Sequence, residues 1–399
     1  MSARTLTDMR ILYTIFLFFY NFLVRLAGPF YKKAGTWLKN REQWDKDLDK
    51  LPAGKKTIWF HVASAGEFEQ AIPVIEQIRQ SVYGLSIAVS FYSASGFELY
   101  KNTSYADIFF YFPGDYPSQA RKLVSKLRPL VVVFVRNEIW WNILATLYKE
   151  KVPVLLMNAE PVTRTGIYGW YLKKCYGYFY KIFYSDIIGN TKLERVLDNA
   201  RTDYTDEILE NFSKNSFVLL LGSCYEKEVS LAADFYWDQK SKIPSLKIIL
   251  CPHEWNDKTV SAYQKYFEDK IELYSEKPAT TRLLFVDQKG ILKYIYRYAG
   301  VAFVGGGFGK GVHNVSEAGV YGIPVFIGPR YQKFPEITAM TEEGLVTVVQ
   351  NESEISAALQ KWIANKQEQD ALKEKWKHYF DLGGNASTII WKEIERSIR

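Results

Sequence analysis

The chain has 399 residues, of which 48% are hydrophobic, so it is long enough for two or three domains with buried cores. Its formal net charge of +7 favours an anionic partner, either a nucleic acid, a membrane surface or a phosphorylated lipid. The cysteines, Cys175, Cys224 and Cys251, lack any paired spacing, which argues against a disulfide framework and for a reducing compartment. The four histidines are scattered, without the spacing of a zinc site.

The first distinctive segment is the apolar stretch Ile11–Leu26, which contains Asn21 and Arg25. A membrane span needs about 20 apolar residues, so this segment is predicted either to cross a membrane or to lie in its interface. Basic residues follow it and favour a cytoplasmic location for the rest of the chain. A buried core helix is one alternative. A secretory signal peptide is another, disfavoured because no small-residue cleavage site follows.

Short apolar runs alternate with helical patterns through the first half of the chain. This alternation predicts an α/β domain with a parallel sheet, in which a continuous apolar run is typical of a central strand. The predicted strands are Lys56–Ser64, Leu85–Ser90, Asp107–Phe112, Leu130–Val135 and Val152–Asn158. The stretch Tyr168–Tyr184, rich in aromatic residues and lysines, is predicted as an amphipathic helix over the sheet, with a surface near lipid as the alternative.

A second α/β series begins at Phe217, after the polar stretch Asp198–Asn215, which is interpreted as a linker. Glycines at 383 and 384 break the chain before a last predicted helix, Ala386–Ile398. The sequence therefore predicts two α/β domains in succession.

The most informative part of the second series is a glycine-rich corner. The buried strand Val301–Val304 runs into Gly305–Gly307, followed by a predicted helix, His313–Tyr321, and a second strand, Pro324–Ile327. Strand, glycine loop, helix and strand form a βαβ unit. Glycines allow close backbone approach, and the N–H groups at a helix N-terminus attract anions. The pattern predicts a phosphate-binding corner.

Two carboxylates in the first half follow predicted strands. Glu67 comes just after the first strand and Glu138 after the strand Leu130–Val135. Ligands of open α/β sheets bind beyond the carboxyl ends of the strands, so both glutamates are candidates for chemistry. A structural alternative exists for each. Ser64 and Glu67 have the spacing of a helix capping box, and Glu138 is placed to complement a helix dipole.

The glycine-rich corner, GGGFGKGVHNVSEAGVYGIPVFIGPRYQKFPE, resembles the nucleotide-binding segment of the lipid A Kdo transferases, which transfer 3-deoxy-D-manno-octulosonic acid (Kdo). The loops that carry Glu67 and Glu138 are similar to two further motifs of that family, Ser-x-Gly-Glu and Glu-x-Trp-x-Asn. At the second loop the usual Met-Glu-Thr-Glu is replaced by Val-Arg-Asn-Glu, so only Glu138 carries over. The resemblance covers most of the chain after Thr57.

The resemblance implies an α/β fold of the GT-B type, with two Rossmann-like domains facing a cleft and an N-terminal membrane-associated helix. The expected division is a membrane anchor at 1–30, an acceptor-binding domain at 31–205, a CMP-sugar-binding domain at 206–380, and a C-terminal helix at 381–399 that returns to the first domain. One departure stands out. The family pattern has one more strand and helix before the segment IIGNTKLERVLDNA, whereas here Tyr184 runs almost directly into Ile187.

The resemblance also implies which residues form the site. Glu67 and Glu138 are the catalytic candidates, and the acceptor-binding candidates are Ser64, Gly66 and Arg164. The donor-binding candidates are Gly222, Ser223, His253, Gly305, Gly306, Gly307, Lys310, His313, Asn314 and Glu317. Where family members often have an arginine before the histidine, this chain has Pro252, and Lys310 is expected to supply the charge.

Structural alternatives stay open for several donor-site candidates. His253 is otherwise interpreted as a structural hydrogen-bonding histidine, and Lys310 as a solvated lysine. His313 and Asn314 would then cap the helix that follows, and Glu317 would complement its dipole.

The function that the resemblance implies is inverting transfer of Kdo from CMP-Kdo to a lipid A precursor (lipid IVA) in lipopolysaccharide core biosynthesis. Glu67 would be the general base, and Glu138 would position the acceptor or the sugar. The expected partners are CMP-Kdo, the lipid A precursor and a membrane surface, at the cytoplasmic side of the inner membrane. No nucleic-acid partner, cofactor or metal is expected. The alternatives are another GT-B enzyme acting on a nucleotide sugar, such as a UDP-sugar transferase or an epimerase, and a membrane-bound non-enzymatic scaffold.

Overall fold

A parallel β-sheet forms the centre of each of two structural units. The computed structural model describes residues 3–51, 55–81, 84–136, 138–163, 165–278, 281–309 and 311–398. The first unit contains Met1–Arg195 and Gly383–Arg399, and the second contains Val196–Leu382. The predicted boundary between residues 205 and 206 therefore lies inside the second unit.

The helices and strands up to the unit boundary, in chain order, are α1 (Ala3–Ala27), α2 (Lys32–Arg41), α3 (Trp44–Asp47), β1 (Lys56–Val62), α4 (Ala65–Ser81), β2 (Leu85–Phe91), α5 (Ala94–Tyr100), β3 (Ile108–Tyr111), α6 (Pro117–Leu127), β4 (Pro129–Val135), α7 (Trp141–Lys149), β5 (Val154–Ala159), α8 (Gly166–Tyr176), β6 (Lys181–Tyr184), α9 (Ser185–Ile188) and α10 (Thr191–Arg201).

The remaining elements are α11 (Glu207–Ser213), β7 (Phe217–Cys224), α12 (Glu226–Gln239), β8 (Leu246–Pro252), α13 (Asp257–Gln264), β9 (Ile271–Leu273), β10 (Leu283–Phe285), α14 (Leu292–Ile295), β11 (Val301–Val304), α15 (Ser316–Gly319), β12 (Val325–Ile327), α16 (Pro335–Glu342), β13 (Val346–Val348), α17 (Glu352–Ala364), α18 (Lys366–Asp381) and α19 (Ala386–Ile398).

The first sheet is six-stranded and parallel, with the order β3-β2-β1-β4-β5-β6. Alternate side chains of each strand enter separate apolar clusters on the two faces: Ile58 and Phe60 of β1 lie in one cluster, and Trp59 lies in the other. Burial on both faces explains why these strands are continuous apolar runs in the sequence. The strand order reverses between β1 and β4, which makes the gap beyond their carboxyl ends the topological switch point.

The stretch Tyr168–Tyr184 differs from its prediction as one amphipathic helix. Its first part belongs to α8, and its end forms β6, which pairs in parallel with β5. The edge of the sheet near Tyr184 is therefore formed by β6, a strand that the sequence analysis did not predict. The strand is short and only Phe183 of it is fully buried, so its apolar pattern is too weak to be recognised among aromatic residues that also suit a helix.

The second sheet is seven-stranded and parallel, with the order β13-β12-β11-β7-β8-β10-β9. Its switch point lies between β7 and β11. Two predictions are wrong here. The stretch Asp198–Asn215 is not a linker, since it holds the end of α10 and all of α11. The helix predicted at His313–Tyr321 is only the single turn α15, so it lacks the dipole of a longer helix.

The last helix, α19, packs against α4 of the first unit. The side chain of Gln77 donates hydrogen bonds to the hydroxyls of Ser387 and Thr388 at 3.0 and 2.9 Å. Ile390 and Ile394 are fully buried in the same apolar cluster as the inner face of α4. The chain therefore returns to the first unit after completing the second.

One face of α1 is attached to the first unit by polar contacts. The Tyr13 hydroxyl donates to Asp115 Oδ2 at 2.8 Å, and the Asn142 amide donates to the Thr14 hydroxyl at 3.0 Å. Asp115 is buried and also accepts the backbone N–H groups of Asn142 and Ile143. These buried groups satisfy one another, so α1 has a defined seat on the domain.

The opposite face of α1 is exposed and apolar. The segment Met9–Ala27 of this helix is long and apolar enough to cross a membrane, and no residue of its most apolar stretch is buried. The alternative that this segment is a buried core helix is therefore wrong. The exposed large side chains are Ile11, Leu12, Ile15, Phe16, Phe18, Phe19, Tyr20, Phe22, Leu23 and Leu26.

Candidate active site

Two carboxylates meet at the switch point of the first sheet. Glu67 lies in the first turn of α4, which follows β1, and Glu138 lies in the loop between β4 and α7. Because β1 and β4 are adjacent parallel strands, both loops leave the same edge of the sheet. The charge of Glu138 is close enough to contribute to raising the pKa of Glu67. The structure thus brings together the two residues that the sequence suggested as catalytic.

Glu67 makes the capping contacts that were its structural alternative. The Ser64 hydroxyl accepts the Glu67 N–H at 3.4 Å, and the Glu67 carboxylate accepts the Ala63 N–H at 2.5 Å. Burial nevertheless raises the pKa of Glu67 to about 7, although the Ala63 N–H acts in the opposite direction. Capping and proton transfer are compatible, because only one carboxylate oxygen is needed for the cap.

Glu138 is held by a buried chain of hydrogen bonds. Its Oε2 lies 3.0 Å from Nε2 of His61 and accepts the Trp140 indole N–H at 2.9 Å. On the other side of His61, Nδ1 lies 2.8 Å from the Ser90 hydroxyl, which accepts the Trp59 indole N–H. A His61 tautomer with its proton on Nε2 fits this chain, since the Ser90 hydroxyl then donates to Nδ1 and Nε2–H donates to Glu138.

These donors decide the ionisation of Glu138. Burial would raise the pKa of its carboxyl, but His61 and Trp140 outweigh burial and hold that pKa below its usual value. The N–H groups at the start of α7 bond to Asp115, which comes from the loop after β3, so Glu138 does not cap this helix by a hydrogen bond.

Sequence reasoning missed the residues that support Glu138. His61 was noted only as one of four scattered histidines, although its position in β1, two residues after Trp59, puts both side chains on one face. Arg41 was noted only among the basic residues that follow the apolar stretch Ile11–Leu26. Its guanidinium lies 4.0 Å from the Trp37 ring and 4.7 Å from the Tyr92 ring, and Tyr92 stacks on Trp140. Burial lowers the pKa of Arg41 to about 10.

Two of the three acceptor-binding candidates lie in the described part of the chain, next to Glu67. Ser64 and Gly66 lie at the start of α4, beside Glu67. A Cβ placed on Gly66 would meet no atom within 4 Å, so packing does not require glycine there. The open space beside Glu67 is where a substrate could approach the backbone closely. Arg164 lies outside the described residues.

The glycines of the second switch point have packing reasons of their own. A Cβ on Gly305 would collide with the Ser223 carbonyl, and one on Gly307 would lie 2.5 Å from the Gly328 nitrogen. Gly306 has a φ of +92°, which a side chain rarely adopts. The ends of β11, β7 and β12 therefore approach each other with backbone against backbone.

A buried glutamate accepts a hydrogen bond from the backbone of this glycine loop. The carboxylate of Glu228 in α12 accepts the Gly306 N–H at 2.8 Å and the Tyr225 N–H at 3.2 Å. Burial raises the pKa of Glu228, while these N–H groups and that of Phe308 act in the opposite direction. Amide groups expected to face a phosphate are thus partly paired inside the protein. Phosphate binding by Gly305, Gly306 and Gly307 stays a prediction.

Three aromatic side chains stack beside the glycine loop. His253 follows β8, and its ring centroid lies 4.4 Å from that of His313. The Tyr225 hydroxyl lies 3.1 Å from His313 Nε2. Burial, and then the nearby His253, lowers the pKa of His313 to about 4, so its imidazole is neutral at physiological pH. Tyr225 was not among the sequence candidates, because an aromatic helix-cap residue carries no distinctive pattern.

Asn314 and Glu317 form a pair next to this stack. The Asn314 amide donates to Glu317 Oε1 at 3.0 Å, and α15 has no side-chain cap. The alternative that His313 and Asn314 cap this helix is therefore wrong. Asn314 Oδ1 is buried without a hydrogen-bond partner among the described residues. An unpaired buried acceptor of this kind suits a ligand hydroxyl.

The other donor-site candidates lie on the same edge of the sheet. Gly222 and Ser223 end β7, where Ser223 has a φ of +51° and a Cβ on Gly222 would collide with the Tyr296 hydroxyl. Strained backbone of this kind is concentrated at functional sites. Lys310 lies outside the described residues. Within the part of the chain that the structure describes, no group of three or more His, Cys, Asp and Glu side chains is placed to hold a metal ion.

Each of the two units matches a known family of glycosyltransferase domains. Residues 38–193 match the family described as 3-deoxy-D-manno-octulosonic-acid transferase (kdotransferase), and residues 208–379 match glycosyl transferases group 1. The chain belongs to the Kdo transferase family of glycosyltransferases. This confirms the family that the glycine-rich corner and the two glutamate loops indicated.

Curated Kdo transferases are similar to this chain over most of their length. The 3-deoxy-D-manno-octulosonic acid transferase of Aquifex aeolicus is 26% identical, over 79% of this chain and 88% of that protein. The one from Haemophilus influenzae is 24% identical, over 79% of this chain and 81% of that protein.

A solved structure with the same architecture comes from a different enzyme. The UDP-GlcNAc 2-epimerase from Neisseria meningitidis is 14% identical, with a TM-score of 0.61, and the match covers 85% of this chain and 100% of the epimerase. This likeness shows the fold alone. The predicted GT-B class, with two parallel-sheet α/β domains, is confirmed.

The packing of the glycine loop can be tested without any ligand. Gly305→Ala should lower the free energy of unfolding by about 1–3 kcal/mol, because the added methyl group forces the ends of β7 and β11 apart. Gly309→Ala is the matched control, since a Cβ there has only one contact, at 3.7 Å. Thermal melting of both variants measures the difference, and equal melting temperatures would contradict the packing role of Gly305.

Proposed function

We propose that this Kdo transferase family member moves Kdo from CMP-Kdo to a hydroxyl of a lipid A precursor, with inversion at the transferred carbon. The match of residues 38–193 to the Kdo transferase family, and of residues 208–379 to glycosyl transferases group 1, supports Kdo transfer. The chemistry is supported by the two carboxylates at the first switch point. The direct test is to incubate the protein with CMP-Kdo and a tetra-acylated lipid A precursor, and to identify the product by mass spectrometry.

The observation that carries the proposal is that Glu67 and Glu138 have opposite pKa shifts. Burial raises the pKa of Glu67 to about 7, whereas His61 and Trp140 hold the pKa of Glu138 below its usual value. Neighbouring carboxylates whose pKa values are driven apart are typical of sites in which one group moves a proton and the other stays ionised. A general base works best when its pKa lies near the working pH.

The two carboxylates therefore receive different roles. Glu67 accepts the proton of the acceptor hydroxyl as that oxygen attacks the sugar. Glu138 stays ionised and hydrogen-bonds the acceptor or the sugar, with His61 and Trp140 fixing its orientation. The cap formed by Ser64 and the Ala63 N–H keeps the Glu67 side chain in one position while its proton is gained or lost.

The donor nucleotide is assigned to the second switch point. Asn314 Oδ1 and Glu317 are placed to accept hydrogen bonds from ribose hydroxyls, since one is an unpaired buried acceptor and the other an adjacent carboxylate. His313 is neutral, so it can hydrogen-bond the phosphate but adds no positive charge. Lys310 is proposed to meet the charge that develops on the departing CMP phosphate.

The exposed face of α1 supports a location at a membrane, where the lipid acceptor is found. The polar contacts of Tyr13 and Thr14 attach the opposite face of the helix to the domain. A helix seated in this way suits the membrane interface better than a span. Basic residues after the helix favour the cytoplasmic side of the inner membrane.

The first functional prediction separates capping from catalysis at Glu67. Glu67→Gln keeps the capping geometry, because glutamine also serves at this position of a capping box, but it cannot accept a proton. Turnover should fall by about 10²–10⁴-fold, with the melting temperature and CMP affinity close to those of the wild type. Steady-state kinetics and thermal melting measure both. Near-normal turnover would reduce Glu67 to a cap.

The pH profile gives a second measure of the same group. Glu67 must be ionised to act as a base, and its pKa is raised to about 7, so kcat/KM should rise with pH through this value and level off above it. Glu67→Gln should remove this limb of the profile from the residual activity. A wild-type profile that is flat between pH 5 and 9 would show that no group of this pKa controls the reaction.

The donor site is tested by calorimetry with CMP. Glu317→Ala should weaken CMP binding by about 1–3 kcal/mol, the cost of losing a buried hydrogen bond to a ribose hydroxyl. Glu342→Ala serves as the control, since this glutamate is exposed in the same unit. Unchanged affinity in Glu317→Ala would leave this residue with a structural role, to which its bond with Asn314 belongs.

Membrane binding is tested on the exposed face of α1. The double variant Phe19→Asp/Phe22→Asp should lose vesicle binding by at least about 100-fold, because burying each phenylalanine contributes about 1.5–3 kcal/mol. Leu99→Asp/Ile187→Asp changes two apolar residues elsewhere in the first unit that are also more than half exposed, and it should float with vesicles like the wild type. Flotation of the α1 double variant at the wild-type level would refute the membrane role of this face.

A further inference from the structure

An apolar cavity of about 690 Å³ lies in the first unit between α1, the segment Glu138–Trp141 and α8. Its volume is within the range of about 300–1,000 Å³ that is common for ligand sites. Leu12 and Phe16 of α1, Trp141, and Ile167 of α8 are among its lining residues. We name this cavity the α1 groove.

Two hydroxyl groups in the walls of the α1 groove are already paired within the protein. The Tyr13 hydroxyl donates to Asp115 at 2.8 Å, and the Tyr171 hydroxyl donates to the carbonyl of Ile139 at 2.7 Å. The rings of Tyr13 and Tyr171 stack on one another, with centroids 5.7 Å apart. A wall of this kind presents hydrocarbon and aromatic surface, so it favours an apolar occupant.

The rim of the α1 groove continues into the exposed apolar face of α1. Leu12, Phe16 and Ile167 are 59%, 63% and 81% exposed, which is unusual for large apolar side chains around a cavity. Contiguous exposed apolar surface of this extent marks contact with a lipid or another apolar partner. An occupant can therefore enter the groove directly from the surface that faces the membrane.

The α1 groove also reaches the candidate active site. Glu138 contributes to its lining, and among the lining residues, all of which belong to the described part of the chain, it is the one with a carboxylate. A molecule lying in the groove thus has an apolar part against α1 and α8, and its other end beside Glu138. An amphiphile with a hydroxylated head and an apolar tail has this distribution of polarity.

We propose that the α1 groove holds one acyl chain of the lipid acceptor while the sugar head of the same molecule lies at Glu67 and Glu138. This inference rests on the proposed function, in which the acceptor is a lipid. A membrane phospholipid matches the apolar part of the groove, but it has no sugar hydroxyl to present to Glu67. The acceptor is therefore the occupant that uses both ends of the cavity.

Photo-crosslinking tests the occupant directly. The full-length protein in detergent micelles is mixed with a lipid A precursor that carries a diazirine on one acyl chain, and the labelled peptides are identified by mass spectrometry. Labelling should concentrate on the peptides that contain Leu12–Leu17 and Ile167–Tyr171. Labelling scattered along the exposed face of α1, with none in α8, would overturn the proposal.

The same experiment separates the acceptor from ordinary lipid. Phosphatidylethanolamine with the same diazirine-bearing chain should label the groove weakly and should be displaced by unlabelled precursor. Equal labelling that the precursor does not displace would make the groove a general lipid site and refute the assignment. Crosslinking needs no sugar transfer. Labelling of the groove without any Kdo transfer would therefore refute the proposed function but not the binding of an acyl chain in the groove.

Kinetics with a matched control complete the test. Ile167→Asp should lower the ratio of kcat/KM for the acylated precursor to kcat/KM for its deacylated form by at least about tenfold, because a carboxylate then faces an apolar chain. Ile187→Asp changes an isoleucine that is 74% exposed in the same unit and does not line the groove, and it should keep the wild-type ratio. Equal ratios in the two variants would overturn the proposal.

Discussion

The topology of a parallel sheet is the constraint on which the rest of this structure depends. All strands of each sheet end at one edge, and only where the strand order reverses do the neighbouring connections leave to opposite faces and open a crevice. In the first sheet this happens between β1 and β4, whose following loops carry Glu67 and Glu138. In the second it happens between β7 and β11, beside Glu228 and the glycine loop. The position of each candidate site on its own sheet thus follows from strand order.

Burial then gives similar side chains different chemistry. Glu67, Glu138 and Glu228 are all withdrawn from water, which by itself disfavours their ionised forms. The hydrogen-bond donors around each one decide the outcome. His61 and Trp140 keep Glu138 ionised, whereas the pKa of Glu67 is raised to about 7. Glu228 accepts a hydrogen bond from an amide of the glycine loop. The two glutamates at the first switch point are therefore suited to separate roles in one reaction, whereas Glu228 is structural.

The N-terminal helix is joined to the part of the domain that carries Glu138 through one buried aspartate. Its polar side chains Tyr13 and Thr14 bond to Asp115 and Asn142, and Asp115 also caps α7, which follows the Glu138 loop. The same aspartate thus positions α1, with its exposed apolar face, and the start of α7 relative to each other. The α1 groove opens on the apolar face of α1 and ends at Glu138. Its position therefore follows from the way in which Asp115 joins α1 to α7.

Local patterns in the sequence were sufficient to identify the apolar strands, the last helix, the glycine-rich corner and the loops of Glu67 and Glu138, because strand periodicity and glycine spacing are properties of neighbouring residues. The tertiary structure alone decided four other features. β6 forms because β5 offers it an edge, α15 stops after one turn, Glu228 pairs with Gly306, and His61 pairs with Glu138. Glu228 and Gly306, like His61 and Glu138, are far apart in the chain, so no local pattern records their contact. The sequence therefore determined which residues are candidates for the chemistry, and long-range packing decided the hydrogen-bond partners that surround each of them.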